Sequence, residues 1–251
     1  MVPAMLTALP RLPGFFDTDL SRIRSLVVAG APVPPALIQQ FSDQGLTLQQ
    51  AWRMTETAPF ATHLPEEQTV TKLGSAGIPL PHTGVQVVDT ETGAVLSPGS
   101  SGEIAVRGPH VTPGYWQNPE ATALAFDDER WFHSGDIGYL GEDGYLFIVD
   151  RLKDMIMSGG EDVYPAEVER ALADLDGVTD VVIIGVPDDD SGEDGRCRGL
   201  DRRRPRGHHS TPCGGTPGLR SPIPAPDRQA VPRNASGKLD KLSIRALVEE
   251  T

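Results

Sequence analysis

The sequence predicts an α/β and α+β protein in two parts: strand–helix layers with an antiparallel β subdomain over residues 1–150, then a small α+β domain over residues 151–251. Three observations carry this expectation. Short β-branched runs alternate with a helical stretch near the N-terminus. Two pairs of alternating apolar–polar runs joined by Gly-rich turns follow. Beyond residue 150 the apolar spacing changes from the strand period to the helical one.

Taken in order, RSLVVAG from Arg24 to Gly30 is an apolar run closed by Gly and reads as a buried strand. A short helix is expected from Ala36 to Asp43. Leu46 to Trp52 alternates as a second strand and delivers Met54, Thr55 and Glu56 to a strand end, the place where α/β folds hold ligands. GVQVVDT and GEIAVRG, between Gly84 and Gly108, flank a Gly/Ser/Pro turn as an antiparallel pair. Ile137 to Val149 makes another hairpin around Gly141 to Gly144. Pro165 suits the first position of a helix, and Ala166, Val168, Ala171, Leu172 and Leu175 recur at helical spacing. Val178 to Val186 reads as a strand, and Lys241 to Glu250 as a final short helix. From Ser191 to about Ala230 the chain is rich in Arg, Pro and Gly and poor in large apolar residues. Burial there cannot offset the entropy of ordering, so residues 191–230 are expected to be irregular or disordered, depriving the small domain of a strand and a helix.

Composition narrows the function. A chain of 251 residues, 38% hydrophobic, can bury a core, and its net charge of −13 disfavours a main role in gripping nucleic acid or an anionic membrane. Arg202, Arg203, Arg204 and Arg206 do not change this, because no aromatic residue interleaves with them. No run approaches the roughly 20 apolar residues of a membrane span, so no transmembrane segment is expected. Two cysteines, Cys197 and Cys213, suit a reducing, cytoplasmic setting. His63, His82, His110 and His133 have no metal-ligand spacing.

Five separated segments carry a more specific signal: Gly30-Ala31-Pro32; QAWRMTE, comprising Gln50, Ala51, Trp52, Arg53, Met54, Thr55 and Glu56; HSGD from His133 to Asp136; DRLKDMIMSGGEDVYPAEVE from Asp150 to Glu169; and RNASGK from Arg233 to Lys238. In order and spacing they resemble the acyl-adenylate-forming, AMP-binding family, and within it the acyl-CoA synthetases and fatty-acid:CoA ligases. The resemblance covers Met1 to about Asp190 and resumes near Val231. It makes residues 1–150 the C-terminal part of a large adenylate-forming domain and residues 151–251 a small mobile C-terminal domain.

The resemblance implies a carboxylic acid, ATP and CoA as substrates, with Mg²⁺ and AMP bound along the way. A Gly30-Ala31-Pro32 turn lets backbone approach a flat heterocycle. Trp52, read alone, is as much a core aromatic as a platform; with Thr55 and Glu56 following it, it is expected to stack on adenine. Gln50, Ala51, Arg53 and Met54 line the same edge. Arg53 stands where a small residue is common, so it crowds the nucleotide or points to solvent. Thr55 would donate to the α-phosphate and Glu56 would hold Mg²⁺. Asp136 would accept from the ribose hydroxyls, and Arg151 would donate to ribose and phosphate. Lys238 would bridge carboxylate and α-phosphate, Lys153 would be the hinge, and Ser158, Gly159 and Gly160 would pass the CoA arm.

The Ser/Thr/Gly-rich phosphate loop with its lysine does not occur in this sequence. The chain is therefore expected to be a C-terminal half that is inactive alone and completed by a partner chain supplying the N-terminal half. Two other readings stand beside this one: an adenylation domain loading a carrier-protein thiol, and a non-catalytic remnant or split-gene subunit.

Overall fold

The structure is a computed structural model and describes residues 1–30, 33–158, 161–173, 178–188, 192–201, 219–220, 232, 240–241 and 243–244. The chain forms two compact units, Met1–Val149 and Asp150–Thr251.

The first unit opens with α1 (Pro3–Ala8), followed by β1 (Leu26–Ala29), α2 (Pro35–Ser42) and β2 (Leu48–Ala51). Proline in its first turn favours the start of α2. Its Ile38 and Phe41 are fully buried with Leu6, Val28, Val33 and Leu48, and burying each such side chain contributes about 1.5–3 kcal/mol. β1 and β2 pair in parallel, Leu26 opposite Leu48 through Ala29 opposite Ala51. Both strands therefore end at one edge, with Gly30 and Trp52 next in sequence.

Six further strands form one antiparallel sheet: β3 (Thr62–His63), β4 (Ser75–Pro79), β5 (Gly84–Val88), β6 (Gly102–Arg107), β7 (Phe132–Leu140) and β8 (Leu146–Arg151), with α3 (Pro119–Ala125) between β6 and β7. Their order is β3-β4-β8-β7-β6-β5. Ile104, Val106, Phe132 and Leu146 bury one face against Trp52, Ala61 and Ala76.

The second unit carries β9 (Ile156–Ser158), β10 (Glu161–Val163), α4 (Pro165–Ala173), β11 (Val178–Asp188), β12 (Gly192–Asp201) and β13 (Leu219–Arg220). Leu172 of α4 packs on Ile156, Val181 and Ile183. The carboxylate of Asp150, itself buried, accepts from the Ala166 N–H at 2.7 Å and thereby caps the start of α4 from sixteen residues upstream. Lys241, Ser243 and Ile244 are helical.

One expectation is corrected here. Gly192–Asp201, placed in an irregular stretch, is a strand that pairs antiparallel with β11 along its whole length, and Leu219–Arg220 pairs with it in turn. A ladder is built from backbone amides, so β11 can recruit a partner whatever side chains that partner carries. The small unit therefore keeps a strand there.

Candidate functional site

Within the first unit, three elements converge. The β2 edge continues into Trp52 and Arg53, then a 3₁₀ turn over Thr55–Thr57. Thr57 is fully buried, and its hydroxyl oxygen accepts from the Met54 N–H at 3.3 Å, closing the turn on itself. This leaves Thr55 exposed and Glu56 half-buried at the strand end.

The second element is a bulge in β7. Glu103 faces Ile137 and Ala105 faces His133, so Ile104 alone stands opposite Ser134, Gly135 and Asp136. Extra residues bend a strand and re-aim a side chain. Gly135, at φ +68°, takes the left-handed conformation the bulge requires. Glu103 holds this arch from below: one carboxylate oxygen accepts from the Gly135 N–H at 2.9 Å, and the other lies 2.8 Å from His133 Nδ1. A carboxylate can only accept, so His133 carries a proton on Nδ1. The Ser134 hydroxyl donates to the Ile104 carbonyl at 2.6 Å, and the Asp136 N–H donates to the Ser134 oxygen at 3.1 Å.

These two elements meet where Trp52 Nε1–H donates to Asp136 Oδ2 at 2.8 Å. Trp52 is 5% exposed and packs with Ile104, Val106 and Phe132. Its ring packs in the core, and its polar edge orients Asp136. Gln50 and Ala51 are buried in β2 as well, and the Gln50 amide donates to the Ser75 carbonyl at 3.1 Å. Arg53 is exposed, with Nη2 3.6 Å from the position a Cβ would take at Gly30, which places its guanidinium across the β1 end. Met54 packs against the core.

The third element, the loop from Gly108 to Trp116, was not singled out in the sequence. The Thr112 N–H donates to the Glu56 carbonyl at 2.8 Å, and the Tyr115 hydroxyl donates to Glu56 Oε1 at 3.0 Å. Desolvation, then the hydrogen bond to Glu56 and its charge, push the Tyr115 phenol up. It stays protonated, and a donor, throughout the neutral range. A local signal for this loop exists: Asn118-Pro119 marks the start of α3, and Tyr115 is tied to its first turn.

Arg151, Lys153 and Ser158 belong to the second unit. Arg151 closes β8, and Lys153 is exposed in the turn Leu152–Asp154. Ser158 lies in β9, paired with Glu161 and 8% exposed. Lys241 Nζ lies 3.7 Å from Asp154 and 3.8 Å from Glu169. Ala31, Pro32, Gly159, Gly160 and Lys238 lie outside the described residues.

A parallel strand edge joined through a Trp–Asp contact to a bulged antiparallel sheet, followed by a small α+β unit, defines an adenylate-forming fold. Residues 1–116 match the model of the family described as "AMP-binding enzyme". The chain is 47% identical over 195 residues to a feruloyl-CoA synthase from an Amycolatopsis species, covering 78% of this chain and 39% of that protein. It is 36% identical over 247 residues to the long-chain-fatty-acid–CoA ligase FadD13 of Mycobacterium tuberculosis, covering 97% of this chain and 48% of that protein. Among solved structures, ATP-bound MatB from Rhodopseudomonas palustris superposes with a TM-score of 0.85 at 29% identity, over 99% of this chain and 50% of that one. MenE from Bacillus subtilis, in complex with the acyl-adenylate OSB-AMP, gives 0.78 at 30% identity, over all of this chain and half of that one.

The chain belongs to the adenylate-forming, AMP-binding family. It spans 39% to 48% of the length of these two curated relatives. Among the described residues no helix is long and apolar enough to cross a membrane.

Proposed function

We propose that this chain supplies the adenylate-binding and hinge portions of an ATP-dependent carboxylate–CoA ligase, and that the 251-residue polypeptide has no ligase activity by itself. One observation carries the reading: the Trp52–Asp136 hydrogen bond joins the strand-end Thr55–Glu56 turn to the HSGD bulge, uniting two of the five sequence segments in one place.

In the proposed reaction the acid's carboxylate attacks the α-phosphorus of ATP and pyrophosphate leaves. The CoA thiol then attacks the acyl-adenylate carbonyl and AMP leaves. Asp136 accepts from the ribose hydroxyls, its carboxylate already oriented by Trp52. Thr55 donates its exposed hydroxyl to the α-phosphate. Glu56 would be the residue to hold a magnesium ion accompanying ATP, since its half-exposed carboxylate is a hard oxygen ligand, and the ion would supply charge stabilisation to the phosphates. Arg151 donates to ribose and phosphate, Lys238 bridges carboxylate and α-phosphate, Lys153 is the hinge, and Gly159 and Gly160 pass the CoA arm.

A fatty acid is the proposed acid, supported by the FadD13 similarity along 97% of the chain. An aryl acid is the second reading, favoured by the higher identity to the feruloyl-CoA synthase. The inactivity follows from the phosphate loop that this sequence does not contain, and a partner chain carrying such a loop would complete the enzyme. The proposed setting is the cytoplasm, where ATP and CoA are supplied. ATP–pyrophosphate exchange tests the activity claim. The isolated chain is expected to show none with fatty or aryl acids, and exchange at an ordinary enzymatic rate would overturn it.

A further inference from the structure

Tyr115 does more than fill the rim of the site. The loop that presents it is fixed at several points. The Thr112 hydroxyl donates to the Gly114 carbonyl at 3.0 Å. The Tyr115 N–H donates to Thr122 Oγ1 at 2.9 Å, the Thr122 hydroxyl donates to the Asn118 carbonyl at 2.8 Å, and Asn118 Oδ1 caps α3 by accepting from the Ala121 N–H at 3.0 Å. A Cβ at Gly114 would lie 2.5 Å from Thr122 Cγ2, so only glycine lets the chain pass this close to α3. The Arg130 guanidinium adds a bond to the Pro113 carbonyl at 3.3 Å. From this braced position the phenol reaches back across the sequence to Glu56 at 3.0 Å, while the Thr112 N–H holds the Glu56 backbone at 2.8 Å. Glu56 is thus fixed at both its backbone and its carboxylate.

We propose that Tyr115 is a positioning residue for magnesium-bound nucleotide: by holding one oxygen of Glu56, it fixes the carboxylate rotamer and leaves the second oxygen for the metal. This rests on the reading of Glu56 as the metal-facing carboxylate. An unrestrained Glu loses rotamer freedom when a ligand immobilises it. A carboxylate ordered in advance does not lose it at binding.

The test is a titration of the 251-residue chain with ATP plus Mg²⁺, ATP in EDTA, and AMP in EDTA. The proteins are the unsubstituted chain, Tyr115→Phe, Glu56→Gln and the double variant. Magnesium should tighten ATP binding to the unsubstituted chain. Tyr115→Phe should cut that magnesium-dependent gain about fivefold while leaving AMP affinity within about twofold, and should have no further effect in the Glu56→Gln background. A general packing defect would weaken AMP as much as Mg·ATP, and that result overturns the inference. So does an intact magnesium gain in Tyr115→Phe. If the unsubstituted chain binds AMP but gains nothing from magnesium, the reading of Glu56 fails and this inference with it. If it binds no adenylate at all, the proposed function itself has failed.

Discussion

Replacing Glu103 by alanine removes the support of the arch that carries Asp136. The Glu103 side chain is 12% exposed and accepts from the Gly135 N–H at 2.9 Å and from His133 Nδ1 at 2.8 Å. A hydrogen bond to a charged partner contributes about 1.5–3 kcal/mol. His133 is 26% exposed, so water recovers part of its bond, whereas Gly135 sits at φ +68° in a bulge and its amide donates to Glu103. The two losses together should destabilise the first unit by about 2–3 kcal/mol. Trp52, Trp116 and Trp131 are the chain's three tryptophans and all lie in that unit, so their fluorescence during urea unfolding reports on it alone. Adenylate affinity should fall more than about tenfold in Glu103→Ala, since each 1.4 kcal/mol of lost preorganisation is tenfold. Glu103→Gln, which keeps one acceptor, should lie between. An alanine variant within about 0.5 kcal/mol of the parent, with unchanged adenylate affinity, would refute the reasoning.

Two further outcomes follow from the same geometry. Trp52→Phe keeps a core aromatic but removes the donor to Asp136, so it should weaken AMP binding about tenfold; the loss should vanish in an Asp136→Asn background, whereas a stacking role for Trp52 would persist there. Glu169 is held above the usual carboxylate range, chiefly by burial, against the opposing pull of Lys241 and the Ile183 N–H. A raised folded value means its contribution is fully favourable below the unfolded carboxylate range and is lost as pH rises through the folded value. Glu169→Gln, which keeps an acceptor for Ile183, should remove that fall. Hydrogen-exchange protection of α4, compared between the two proteins at matched pH from 4 to 7, checks this; parallel pH profiles would contradict it.

The sequence made the strand end at Trp52 legible, because β-alternation in Leu46–Trp52 stops where the Thr–Glu pair begins, and the parallel pairing of β1 with β2 puts that pair at a shared edge. Asp136 was legible through HSGD, although the bulge that aims it depends on β6. What escaped local reading depends on partners distant in sequence. Trp52 and Asp136 are 84 residues apart, Tyr115 and Glu56 are 59 apart, and the burial of Trp52 is decided by Ile104, Val106 and Phe132. Asp150 caps α4 from outside the helix, where a search for a local cap finds only Tyr164 before Pro165. Gly192–Asp201 pairs through a backbone ladder, which residue composition does not reveal.

The central claim is that the Trp52–Asp136 junction is an adenylate site. Isothermal titration of AMP into the 251-residue chain and into Asp136→Asn tests it most directly. The account predicts saturable one-site binding that weakens at least about tenfold in Asp136→Asn, as expected for loss of a charged acceptor, with the urea midpoint of the first unit largely kept. Absence of AMP binding to the parent chain, or equal affinity in the two proteins, would contradict it.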